Sequence, residues 1–242
     1  MSLLFFLRWC DMSVCGQYLE GSLNPFNVFK VIKHNTAFLA EHPDYFKPEG
    51  LMIFCGEQGS GKTLSAVQYV KKLCYAYPQA ILCTNVDIKG LPPETKVIEY
   101  DGIDCLKNLE NGYLGVIYLI DEIHLEFNSL ESKNIDIDIM IEVSQQRKQR
   151  KTIVGTTQVY GRLAKPFREQ IRNVVLCSNF CKVLQFNRLI DGSKSHEENG
   201  KLITETSKTY VWFHSPVLYD CYDTYAKMKR YRNEWQGKKR YT

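Results

Sequence analysis

The chain has 242 residues, of which 44% are hydrophobic and 24% charged, with a formal net charge of +4. This is the composition expected of a soluble globular protein; it excludes a disordered or fibrous chain, and the length suits one α/β domain with a small appendage. The charge is too small to demand a polyanionic partner, but the basic residues cluster at Arg147 to Lys151 and at Lys227 to Arg240, so nucleic-acid contact stands beside the plainer reading of solvated faces.

The opening MSLLFFLRWC is apolar, yet Arg8 and Asp11 cut it well short of the roughly 18 residues of a bilayer span, so no membrane span is expected. Residues 1–49 show no clear period and read as an irregular lead-in with short helices. Leu51 to Cys55 is a short apolar run closed by Gly56, as in a buried parallel strand, and Leu64 to Tyr77 reads as a helix stopped by Pro78. Ala80–Thr84 and Lys96–Tyr100 are further short strands, with a short helix at Ile103–Leu109. Gly115 to Ile120 is the most apolar strand and ends at Asp121-Glu122. IDIDIMIEV alternates with period two, but the stretch Ile135–Arg150 lacks Gly and Pro and lies where a parallel sheet needs a crossover, which predicts a helix. Lys151–Thr157 is a strand with a polar end. From Val174 onward the β-rich segments around Asp191–Gly200 predict a hairpin appended to the sheet edge, followed by a tyrosine-rich, basic helix over Val217–Trp235. The expected organisation is a lead-in over 1–49, a P-loop core over 50–180, and a hairpin extension with a basic helix over 181–242. The nine cysteines, scattered and without CxxC pairs, read as reduced thiols of a cytoplasmic protein.

GEQGSGKT matches G-x-x-x-x-G-K-[ST] at every fixed position and lies between a predicted strand and a predicted helix, the context the motif requires. The cofactor-binding residues are Gly56, Glu57, Gln58, Gly59, Ser60, Gly61, Lys62, Thr63 and Leu64. Glycines let successive N–H groups curl inward, and the helix N-terminus adds partial positive charge for phosphate. Lys62 reaches the β- and γ-phosphates of ATP, and the Thr63 hydroxyl is offered to Mg2+.

Parallel sheets bind ligands at the carboxyl ends of their strands, which puts Asp121 and Glu122 beside this loop. Asp121 is the second metal residue, acting through water, and Glu122 is the general base that polarises the attacking water. Thr157-Gln158 ends at the same edge, so Gln158 is placed to bond the γ-phosphate or the water. Asn85 is a candidate to hold Glu122 out of place, or is a turn residue. His124 reads as structural.

Together these residues resemble the additional-strand ATPases of the FtsK and HerA superfamily, and QQRKQRKTIVGTTQVYGRLAKPFREQIR resembles the region after the acidic strand in zonula-occludens-toxin-like phage ATPases. The match covers roughly Leu51–Asn179. The resemblance implies an α/β P-loop fold whose Thr152–Thr157 strand lies between the phosphate-loop strand and the acidic strand. It also implies a homo-oligomeric ring with ATP between subunits, a sensor at Gln158, and an arginine supplied by the neighbour. The candidates are Arg147 and Arg150, with Arg168 and Arg172 behind them. Toxin-like members carry a membrane span after the ATPase domain, and none is expected here. The implied activity is a DNA-stimulated ATPase moving DNA in viral genome packaging or mobile-element translocation, in the host cytoplasm, with viral portal or assembly proteins as further partners. Two other readings stand: a phosphotransferase closing arginines from Arg162 to Arg172 over a second substrate, and an assembly factor gated by nucleotide binding alone.

Overall fold

The computed structural model describes residues 25–130, 137–192, 196–198, 201–203 and 206–222. Backbone contacts divide the chain into two compact units, Met1–Tyr45 and Phe46–Thr242. In the first, where short helices were expected, one long helix forms, α1 (Pro25–Glu41). Proline at its first position lacks an N–H that would have no intrahelical partner there, and no Gly or Pro follows until Pro43. The Phe38 ring meets His42 at 4.7 Å and Tyr45 edge-on at 5.0 Å.

The second unit contains β1 (Leu51–Cys55), α2 (Lys62–Ala76), β2 (Ile81–Thr84), β3 (Val97–Glu99), α3 (Cys105–Asn108), β4 (Val116–Ile120), α4 (Ile137–Gln145), β5 (Lys151–Thr157) and α5 (Lys165–Arg168). It continues with β6 (Ile171–Phe180), β7 (Leu184–Asp191), β8 (His196–Glu198), β9 (Lys201–Ile203), β10 (Thr206–Phe213) and α6 (Pro216–Tyr219). Eight strands form one sheet in the order β10-β7-β6-β1-β5-β4-β2-β3, and β8 pairs with β9 as a separate ribbon. The pairings from β6 to β3 are parallel; β7 and β10 join antiparallel, which is the expected hairpin on the sheet edge. β5 lies between β1 and β4, with Ile153 flanked by Leu51 and Tyr118, as the family resemblance implied.

The strand pleat sorts the apolar runs onto two covered faces, which is why β1 and β4 are apolar throughout rather than alternating. Leu51, Ile53, Tyr118, Ile120 and Ile153 face α3, α4 and α5, whose Leu106, Ile139, Val143 and Phe167 complete that core. Met52, Phe54, Ile117, Leu119 and Val154 face Val67, Val70 and Cys74 of α2. The alternating IDIDIMIEV folds as helix over its described part, and the isoleucines divide accordingly: Ile139 and Val143, four apart, are buried, whereas Ile137 and Ile141 are exposed. The helix ends at Gln145 rather than Arg150, and the chain turns into β5 with Arg150 at φ 58.

At the far end α6 begins one residue before the predicted Val217 and closes after a turn, and Tyr222 bridges to Ile88. The remainder of the predicted helix and the cluster from Lys227 to Arg240 lie outside the described residues. Among the described residues no helix is long and apolar enough to cross a membrane, and every cysteine is free.

Candidate active site at the carboxyl ends of the strands

The loop between β1 and α2 is built from backbone that only glycine adopts without strain: Gly59 and Gly61 have φ of 80° and 81°. The Ser60 N–H donates to the Glu57 carbonyl at 3.1 Å, and the Gly56 N–H donates to the Thr157 carbonyl at 3.3 Å, which ties the loop to the end of β5. α2 starts directly from it, so the first-turn N–H groups and the positive end of a 15-residue helix face the same space. The Ser60 hydroxyl is buried there without a hydrogen-bond partner in the chain, a polar group that a phosphate oxygen would satisfy.

Asp121 leaves the end of β4 toward this loop. Its Oδ1 accepts from the Thr63 hydroxyl at 2.9 Å and from the Thr156 hydroxyl at 2.6 Å. Asn85 fixes its backbone at both groups: the Asp121 N–H donates to Asn85 Oδ1 at 2.8 Å, and Asn85 Nδ2 donates to the Asp121 carbonyl at 3.1 Å. Asn85 therefore clamps Asp121 and makes no hydrogen bond with the Glu122 carboxylate, contrary to the switch weighed from sequence. The pairing of a hydroxyl and a carboxylate supplies hard oxygens of the kind Mg2+ takes. Among the described residues no cluster of three or more His, Cys, Asp or Glu could cage a metal, so an ion here would complete its shell from water and phosphate.

Glu122 occupies left-handed backbone, φ 55° and ψ 47°, a conformation costing roughly 1–2 kcal/mol outside glycine. The Thr156 hydroxyl accepts its N–H at 2.9 Å, so one threonine holds both acidic residues. The Glu122 carboxylate meets Gln158 Nε2 at 3.3 Å and Lys62 Nζ at 3.8 Å through Oε1, while His124 Nδ1 lies 3.2 Å from Oε2 without hydrogen-bond alignment. Lys62, Glu122 and Gln158 are thus brought together. His124, read as structural, is buried against Glu122 and 3.4 Å from Thr157 Oγ1. Sequence reasoning passed over Thr156 in favour of Thr157, yet the alternation that brings Gln158 to this side brings Thr156 with it. Burial raises the Cys55 thiol and pushes Cys177 up to about 12, so the cysteines flanking the loop stay protonated.

Arg147 and Arg150 are placed elsewhere. Arg150 immediately precedes β5, and Arg147 lines a cavity with Leu51 and Ile171, the starts of β1 and β6. This is the amino edge of the sheet, and the seven residues of β5 separate it from Gln158 by about 20 Å. Neither arginine reaches the phosphate loop of its own chain. Arg168 lies 5.7 Å over the Tyr160 ring, and Arg172 Nη1 donates to the Glu49 carbonyl at 3.1 Å.

β6 and β7 contribute residues that sequence reasoning missed. Asn179 Nδ2 donates to the Gly59 carbonyl, and Gln185 Nε2 donates to the Ser60 carbonyl at 3.0 Å. The available signal was weak: Gln185 and Asn187 are two same-side polar residues in LQFNRLID, where an inward strand face is ordinarily apolar.

No family model and no curated protein matches the chain. Solved structures do. The N-terminal domain of zonular occludens toxin from Neisseria meningitidis superposes with a TM-score of 0.51 at 15% identity, covering 72% of this chain and 98% of that one. The genome packaging NTPase B204 from Sulfolobus turreted icosahedral virus 2 in complex with ATP-gammaS gives 0.46 at 12% identity over 66% and 98%. The flagellar accessory protein FlaH from Methanocaldococcus jannaschii gives 0.42 at 11% over 70% and 91%. The chain thus shares its fold with the zonular occludens toxin N-terminal domain, and the phosphate loop after β1 with β5 inserted between β1 and β4 makes it an α/β P-loop NTPase fold of the additional-strand type. At these identities the likeness speaks for the fold.

Proposed function

We propose that this chain is an ATPase, hydrolysing ATP to ADP and phosphate, and that it works as a homo-oligomeric motor on DNA, in viral genome packaging or mobile-element translocation in the cytoplasm. The observation that carries the ATPase reading is the meeting of Thr63, Asp121 and Thr156 at one carboxylate oxygen, with Lys62, Glu122 and Gln158 alongside. The residues Gly56 to Leu64 would take the triphosphate, Lys62 offsetting charge on its terminal groups. Thr63 and Asp121 would hold Mg2+, which when bound neutralises charge on the phosphate oxygens. Glu122 accepts the proton of the attacking water, and Gln158 holds that water and the carboxylate in register. A triphosphate competes with Glu122 for Lys62, so substrate binding itself frees the base.

The placement of two arginines supports a ring: Arg147 and Arg150 lie about 20 Å from the phosphate loop of their own chain, so an arginine acting in catalysis from either position would serve a neighbour's nucleotide. DNA is the partner favoured by the basic amino edge, where Lys47, Arg147, Lys148 and Arg150 line a cavity of about 570 Å³. Portal or assembly proteins are further partners this reading allows. Hydrolysis is favoured over transfer to a second substrate because Arg168 and Arg172 are engaged within the chain. Phosphate release from Mg-ATP across a DNA titration tests both levels. Saturable hydrolysis stimulated by DNA is expected; a rate unaltered by DNA removes the motor, and rapid labelling of an acceptor without phosphate release removes the hydrolase.

A further inference from the structure

β7 buries two amides on the side facing the phosphate loop, Gln185 completely and Asn187 almost so. A buried amide is destabilising unless its donors and acceptors are matched, so these contacts specify something. Both N–H groups of Gln185 are used, one on the Ser60 carbonyl at 3.0 Å and one on Asn187 Oδ1 at 3.1 Å. Asn187 Oδ1 also accepts from the Ser65 hydroxyl, at 3.1 Å, in the first turn of α2. His214, one residue past β10, lies with Nε2 2.9 Å from Gln185 Oε1. Two acceptors on one end and an imidazole on the other fix which way the Gln185 amide points and leave Nε2 of His214 as the donor. The fit is tight at Gly61, where a Cβ would lie 2.2 Å from Gln185 Oε1. A side chain at Gly61, the third glycine of the loop, would therefore displace the Gln185 amide as well as strain the backbone at φ 81°.

In a trans peptide the carbonyl and the next N–H point in opposite directions. Gln185 holds the Ser60 carbonyl toward β7, which turns the Gly61 N–H away from β7. We propose that Gln185, held by Asn187 and His214, is a positioning residue for the phosphate loop: it fixes the Ser60–Gly61 peptide so that the Gly61 N–H is presented to a bound phosphate. The inference rests on the nucleotide-binding reading above. It also makes the β7 and β10 extension part of the binding site, since two of the three groups at this amide come from those strands or their ends.

The test is nucleotide affinity of Gln185→Met, which keeps size and loses both donors, measured on the full chain with Mg-ATP and Mg-ADP. Loss of one such anchor is expected to weaken both nucleotides roughly tenfold. With 15N-glycine labelling, the Gly61 amide resonance is expected to move downfield on nucleotide addition in the wild type and not in the variant, a signature that a merely destabilised fold does not give. Should Gln185→Met fail to fold, His214→Ala removes only the outer support, at a partly exposed residue, and is expected to weaken binding about threefold. A folded variant that binds within the error of wild type and retains the Gly61 shift overturns the inference. Wild-type protein without affinity for Mg-nucleotide overturns the underlying reading instead, so the two failures are told apart.

Discussion

The two edges of one sheet carry opposite kinds of polar chemistry. At the carboxyl edge Lys62, Asp121, Glu122, Thr156 and Gln158 are buried or half-buried, and each is bonded or ion-paired to another member of the group. At the amino edge Lys47, Arg147 and Lys148 are exposed around an open hollow, lined also by Pro48, Ser144 and the half-buried Arg150, that has no acidic residue in its lining. Buried polar groups must be matched by partners within the chain, so the first edge is preorganised for a small ligand of fixed geometry. Solvated cations need no such match and keep long-range attraction for a polyanion or for a second subunit. On the proposed reading, the difference separates groups that would act on a nucleotide bound to their own chain from groups that would act on another molecule.

The largest expected effect falls on the buried edge. Lys62→Ala removes the ammonium group beside Glu122 and should eliminate detectable Mg-ATP binding by calorimetry; retained affinity would break the assignment of the site. Glu122→Gln keeps the shape while abolishing the base, and is expected to lower kcat by a factor on the order of 10²–10⁴ with nucleotide affinity preserved. Equal loss of binding and turnover would instead make Glu122 a partner of Lys62 and no more.

The amino edge should respond only in assemblies. An Arg147→Ala, Arg150→Ala double variant is expected to bind Mg-ATP normally and to lose turnover by roughly 10³-fold or more if one of the pair reaches a neighbour's nucleotide. Mixing it with Lys62→Ala subunits, themselves inactive, should restore phosphate release, because an intact phosphate loop then sits beside intact arginines. No recovery on mixing, with weakened DNA binding and a shallower salt dependence, would reassign both arginines to the nucleic acid.

What was readable in the sequence follows the same division. GEQGSGKT, VIYLIDE and TIVGTTQ disclosed the loop, the acidic strand and the inserted strand, because buried parallel strands are continuous apolar runs and phosphate loops need glycine at fixed spacing. The crossover helix was recoverable from length and topology although its isoleucines alternate, since a helix can leave Ile137 and Ile141 in solvent. Partners distant in sequence were not readable. Thr156 to Asp121 spans 35 residues and Gln185 to Ser60 spans 125, and no local pattern encodes which amide meets which carbonyl. The length of α1 was not readable, and short helices were expected in its place, because the apolar residues of PFNVFKVIKHNTAFLAE do not form one stripe.

The smallest expected effect lies where the extension meets the loop. Burial lowers the His214 pKa from its ordinary value of 6.5, partly offset by the Lys182 backbone. A histidine with a depressed folded-state pKa is protonated first in the unfolded chain. Stability is therefore unaffected well above pH 6.5, falls as pH drops through that value, and levels off once the folded pKa is passed. His214→Gln retains a donor for Gln185 Oε1 but does not titrate. Between pH 7.5 and 5.5 the wild-type Tm should consequently drop slightly more than that of the variant. All carboxylates are common to both proteins, so the difference between the two profiles isolates this imidazole. Parallel profiles would mean that His214 is as accessible to protons in the folded chain as in the unfolded one, and the contact between β10 and the phosphate-loop amide would then be too open to hold Gln185 in place.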